Sequence, residues 1–98
     1  MNISKHNEGS TLTMEISGRL DTTTAPELEK EIGASCEGTE KLILDLKKLE
    51  YVSSAGLRVF LSTHKKMSKQ GSMVIRNANP DIMEIFDVTG FSDILNLE

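Results

Sequence analysis

Cysteine and aromatic residues are scarce in this chain, and each shortage sets a limit. Cys36 is the single cysteine, so no internal disulfide can form and a reducing, cytoplasmic compartment is expected. One Tyr and three Phe leave the core to aliphatic side chains. No apolar run approaches the ~20 residues that cross a bilayer, so no direct membrane insertion is expected. The opening Met-Asn-Ile-Ser-Lys-His-Asn-Glu lacks the apolar centre of a signal peptide. Positive charge is also in deficit. Eleven Lys and Arg against 15 Asp and Glu give a net −4, which argues against nucleic acid as the main partner but not against a protein. His6 and His64 show no ligand spacing with each other or with Cys36, so no metal is assigned. No Gly-rich phosphate loop and no Gly-x-Ser-x-Gly elbow occurs, and no cofactor is assigned.

What remains fits a single domain over residues 1–98. Thr11–Ser17 alternates with period two, predicting a half-buried strand with Leu12, Met14 and Ile16 inward. Asn7–Ser10 reads as a hairpin turn, and a short strand around Ile3 pairs antiparallel before it. Thr24 and Glu27 form the pattern of a capping box, with Pro26 in the first turn of a helix that ends near Gly33–Cys36. Leu42, Ile43, Leu44 and Leu46 are nearly continuous, as in a central strand covered on both faces. A second helix is expected over 55–69, burying Leu57, Phe60, Leu61 and His64 and ending at Gly71. Ser72–Arg76 is a strand. Asn79 and Pro80 open a third helix that buries Ile82, Ile85 and Phe86 and closes at Gly90. Phe91, Ile94 and Leu95 are expected to fold back onto the sheet. The order β-β-α-β-α-β-α predicts an α/β fold, a single small β/α sandwich whose mixed sheet of about four strands is covered by helices on at least one face.

The sharpest chemical signal is Tyr51-Val-Ser-Ser-Ala-Gly-Leu57. Two hydroxyls stand where an apolar run meets a basic helix. Free N–H groups and the positive end of a helix dipole favour a negative group there, so a phosphate on Ser54 would be welcome. On spacing alone, one serine is more simply an N-cap. Ala55 and Gly56 keep the turn small enough for another macromolecule to approach. Gly18-Arg-Leu-Asp21 follows the second strand. Asp21 reads alone as a turn aspartate, yet adjacent parallel strands would bring it beside Ser53 and Ser54. Thr22, Thr23 and Thr24 would share that rim. Ser54 has no evident general base, which disfavours nucleophilic catalysis and with it an enzyme.

Taken in order, Gly18–Asp21, Thr24–Leu28, Leu42–Leu46 and Tyr51–Leu57 make the chain resemble the anti-sigma factor antagonists, a bacterial group within the STAS domains. The resemblance covers essentially the whole chain. It implies partner switching: the unphosphorylated antagonist binds an anti-sigma factor that is also a serine kinase, and so frees a sigma factor. That kinase, with ATP and magnesium, marks the antagonist and releases it; a PP2C-type phosphatase removes the mark. The resemblance puts the acceptor at Ser54, with Ser53 as second choice, and a partner surface at Asp21, Thr23, Ser53, Ser54, Gly56 and Arg58. Ser53 replaces a common family aspartate, and Ala55 a frequent second hydroxyl. The alternative is a STAS domain serving a lipid-transport complex or a stress-signalling scaffold.

Overall fold

Leu12, Met14 and Ile16 are completely buried along one face of β2 (Thr11–Leu20) in the computed structural model, which describes residues 1–98. β1 (Asn2–Glu8) pairs with β2 antiparallel through the turn at Gly9, whose φ of 63° suits a residue without Cβ. It is longer than the short strand expected. β3 (Lys41–Asp45) lies parallel to β2, and β5 (Ser72–Arg76) lies parallel to β3. The registers align Leu12 with Leu42 and Met73, and Met14 with Leu44 and Ile75. These rows join one core with Leu28 and Ile32 of α1 (Ala25–Ser35), Phe60 and Met67 of α2 (Ser54–Ser68), and Ile82 and Phe86 of α3 (Pro80–Thr89). Phe60 and Phe86 meet edge to face, with ring centroids 6.2 Å apart.

The helices therefore cover one face of the sheet. Ile43 and Val74 point to the other face and stand outside that core, although each is buried. A strand sandwiched on both faces, expected for 42–46, is not what forms. On that other face Ile43 lies between its register partners Thr13 of β2 and Val74 of β5.

The sheet has five strands. The additional one is β4 (Leu49–Val52), which pairs parallel with the extension of β2 beyond Ser17. Gly18 pairs with Leu49 but Arg19 pairs with Tyr51, so Glu50 is an extra residue in the ladder. Gly18, with φ 92°, permits that shift of register.

Other corrections are local. In α2 the buried residues are Gly56, Leu57, Val59, Phe60, Thr63 and Met67, while Leu61 and His64 are only half-buried. Thr63 is tolerated inside because its hydroxyl donates to the Val59 carbonyl at 2.6 Å. In α3, Ile85 is half-buried against the core. After it, a 3₁₀ turn (Phe91–Asp93) returns Leu95 to the core but leaves Ile94 exposed. Asn79 does cap α3: its side-chain oxygen accepts from Ile82 N–H at 2.9 Å, and its amide donates to the Leu49 carbonyl of β4 at 3.1 Å. Gly90 closes α3 in the left-handed conformation, φ 82°. The chain then runs beside the outer edge of β5, where Ile75 bridges to Leu97.

Candidate functional site

The pairing of β2 with β4 builds the site. Leu20 and Val52 are register partners, and the next residues, Asp21 and Ser53, leave the sheet side by side. Ser53 N–H donates to the Leu20 carbonyl at 2.8 Å, fixing the second turn to the first. The adjacency expected for Asp21, Ser53 and Ser54 thus arises through β4, a strand the sequence pattern did not reveal.

The Asp21 turn is organised by its own carboxylate. Oδ1 accepts from Thr23 N–H at 3.0 Å, Thr24 N–H at 3.2 Å and the Thr23 hydroxyl at 2.7 Å. The Thr24 hydroxyl accepts from Asp21 N–H at 2.8 Å and donates to the Arg19 carbonyl at 2.9 Å. The capping box expected from Thr24 and Glu27 does not form: Thr24 occupies the N-cap position without a capping bond, because its hydroxyl is committed to the preceding turn. The Thr23 hydroxyl holds the Asp21 carboxyl below its ordinary pKa; partial burial opposes this, and the N–H groups of Thr24 and Thr23 reinforce it. The carboxylate's bonds all fall on Oδ1, and Oδ2 makes none within the chain. Thr22 and Thr23 are exposed beside it.

The two serines occupy different environments. Ser53 is the N-cap residue of α2, in extended backbone with φ −97° and ψ 176°, and its side chain makes no capping bond. Its Oγ is buried without a hydrogen-bond partner. Ser54 is the first residue of α2 and is exposed. The first N–H groups of the helix have no partner within it, so an acceptor group on Ser54 would meet donors and a favourable dipole.

Gly56 belongs to the packing beneath the turn, not to its surface. It is buried, and a Cβ there would lie 2.6 Å from Leu20 Cγ and 2.8 Å from Val52 Cγ2. Its bare backbone lets the start of α2 sit directly on the ends of β2 and β4. Arg58 is exposed one turn beyond Ser54.

One pair at the rim escaped sequence reasoning. The Arg19 guanidinium lies 4.3 Å from the centre of the Tyr51 ring, and both side chains are exposed. They meet because they are register partners across the bulge. Only recognition of β4 would have placed them together.

A pocket of about 400 Å³ lies elsewhere, among residues including Ser4, Glu15, Asp45 and Lys48. No group of three or more His, Cys, Asp or Glu side chains could hold a metal ion. No helix is long and apolar enough to cross a membrane.

Comparison with known proteins agrees with this geometry. The STAS domain family profile matches residues 2–98. The anti-sigma-B factor antagonist of Bacillus subtilis is 35% identical over 94 residues, covering 95% of this chain and 85% of that protein. The crystal structure of an anti-sigma factor antagonist from Mycobacterium paratuberculosis superposes with a TM-score of 0.89 at 26% identity, over 98% of this chain and 83% of that one. SpoIIAA, a Bacillus cell fate determinant solved in its phosphorylated form, superposes with a TM-score of 0.76 over 99% of this chain and 91% of that one. At 16% identity that likeness concerns the fold alone.

Proposed function

The chain belongs to the STAS domain family, and on that premise we propose that it is a phosphorylation-switched antagonist of an anti-sigma factor, working in the cytoplasm. The bare protein binds an anti-sigma factor that is also a serine kinase, and a sigma factor is freed. The kinase transfers the γ-phosphoryl group of ATP, with magnesium, to the Ser54 oxygen; the hydroxyl proton and ADP leave. The marked protein then dissociates. A PP2C-type phosphatase hydrolyses the phosphoester and restores the binding form.

The observation that carries this reading is the division of labour between adjacent serines. Ser54 is exposed at the first position of α2, whereas the Ser53 oxygen is buried. A kinase can reach the former without opening the turn. The names of the relatives support the partner class, and SpoIIAA shows that a protein of this fold carries a phosphate in one of its solved forms.

The added group carries roughly −1.5 to −2 charge at neutral pH. The start of α2 accommodates it, so the phosphate acts on the partner by bulk and repulsion and not by refolding the sheet. Asp21, Thr23 and Arg58 complete the partner surface. Incubation with the cognate kinase, ATP and magnesium, followed by fragmentation, tests the assignment. One phosphate on Ser54 is expected; label on Ser53 with Ser54 bare would refute it. Calorimetry on the two forms should show a large loss of affinity for the anti-sigma factor on phosphorylation.

A further inference from the structure

Arg58 is a cation without a counterion. The structure contains two ion pairs, Lys5 with Glu31 and Arg76 with Glu98, and Arg58 belongs to neither. Nor does its guanidinium donate any hydrogen bond or lie over a ring, as that of Arg19 does over Tyr51. It stands four residues after Ser54 on α2, and both residues are exposed. At 3.6 residues per turn that spacing stacks the two side chains on one face of the helix. Leu57 and Val59, on either side of Arg58 in the chain, are buried, which fixes the helix rotation and directs Arg58 outward.

We propose that Arg58 is the intramolecular partner of a phosphate on Ser54. The inference rests on the acceptor assignment made above and adds to it a residue that positions the modified group. An arginine fork binds two phosphate oxygens at once and forms a charge-assisted bond stronger than a neutral one. Other charged groups near this end of the fold include Arg19, Asp21 and Glu50, with Lys48 and the Met1 amino group beside Gly18. Arg19 lies over the Tyr51 ring, and Asp21 uses one carboxylate oxygen to organise its own turn. Glu50 is exposed in β4. Arg58 is the cation one turn from Ser54 on its own helix face, and Lys65 lies on that face two turns further on.

The pairing gives the switch two effects from one modification. In the bare protein Arg58 is free to meet a carboxylate of the partner. In the phosphorylated protein it is drawn back onto α2. The surface gains a dianion and loses a cation together.

The test needs neither kinase nor partner. Phosphoserine is incorporated at position 54 during translation, and the phosphate is titrated by phosphorus NMR at low salt in the wild-type background, Arg58→Gln, Arg58→Lys and Lys65→Gln. A phosphoserine ordinarily loses its second proton near pH 6. Arg58 should lower that midpoint by roughly 0.2–0.4 unit, the scale of an exposed i,i+4 ion pair. Arg58→Gln should abolish the shift and Arg58→Lys should keep part of it. Lys65→Gln should leave it unchanged, because that residue lies roughly 16 Å further along the helix. Equal midpoints in wild type and Arg58→Gln would overturn the proposal. Since the phosphate is installed by translation, this result is independent of whether the natural kinase chooses Ser54, so the two ideas fail separately.

Discussion

The backbone N–H of Ser53 is bonded to the carbonyl of Leu20 at 2.8 Å. That bond joins the last paired residue of β2 to the N-cap of α2. It ties the Asp21 turn to the serine turn, so substitutions at one are expected to register in the chemistry of its neighbour.

Ser53→Ala is expected to fold at least as well as the parent. The Ser53 hydroxyl is buried without a partner, and such a group costs desolvation energy that a methyl does not. Urea unfolding should show stability unchanged or raised by up to ~1 kcal/mol. Kinase labelling at Ser54 should persist. A marked loss of stability would mean that Ser53 caps α2 after all.

Asp21→Ala should lower the thermal midpoint and weaken binding of the anti-sigma factor, whereas Asp21→Asn should keep most of the stability. The Asn oxygen can still accept from the N–H groups of Thr23 and Thr24. The sign of the pH effect follows from the lowered carboxyl pKa. The folded state holds the charged form more strongly than the unfolded state does. The contribution is therefore complete above the ordinary aspartate pKa, about 3.9, and disappears as pH falls through the lower folded value. Acid unfolding curves of wild type and Asp21→Asn should converge at the acid end of that window.

Two glycines should resist alanine for different reasons. At Gly56 the new methyl would meet the side chains of Leu20 and Val52, which can yield in part. The expected loss is about 1–3 kcal/mol, with disturbed Ser54 labelling. At Gly71 the methyl would lie 1.8 Å from the carbonyl oxygen of Glu40, which is backbone and cannot swing away. Gly71→Ala should therefore exceed the Gly56→Ala loss in urea unfolding while leaving the rim chemistry of any folded fraction intact.

Asn79→Ala removes two contacts, the α3 cap and the bond to β4 at Leu49. Loss of the cap alone costs about 1 kcal/mol. The bond to Leu49 should add to it, and hydrogen exchange should show faster opening in β4 than in β3. Equal protection in both strands would make the cap the whole effect.

Element identity was legible where local chemistry agreed with tertiary packing. Pro26, the Asn79–Pro80 pair and Gly90 mark helix ends because backbone geometry enforces them at any packing. β4 was hidden because Leu49 and Val52 are buried while Glu50 and Tyr51 are exposed. Four residues in that order carry no period-two signal, and the bulge at Glu50 interrupts the ladder. Leu61 and His64 matched a helical stripe, yet packing against β4 and β5 favours the face through Val59, Thr63 and Met67. A threonine does not look like core until its hydroxyl is seen bonded within its own helix. At the rim, Asp21, Ser53 and Ser54 could be named from their turns, but the pairing of Arg19 with Tyr51 depends on strand register. The Thr24–Glu27 pattern was sound locally and lost to the Asp21 network, which takes the Thr24 N–H and the Thr24 hydroxyl, while the Glu27 N–H bonds to the Thr24 carbonyl.

The two margins of the sheet are unequal. Beyond β5 the chain covers its own strand, with Ile75 bonded to Asn96 and Glu98. Beyond β1 there is no further strand. The three residues after Leu95 therefore shield β5, whereas β1 and β4 each keep one side without a strand partner.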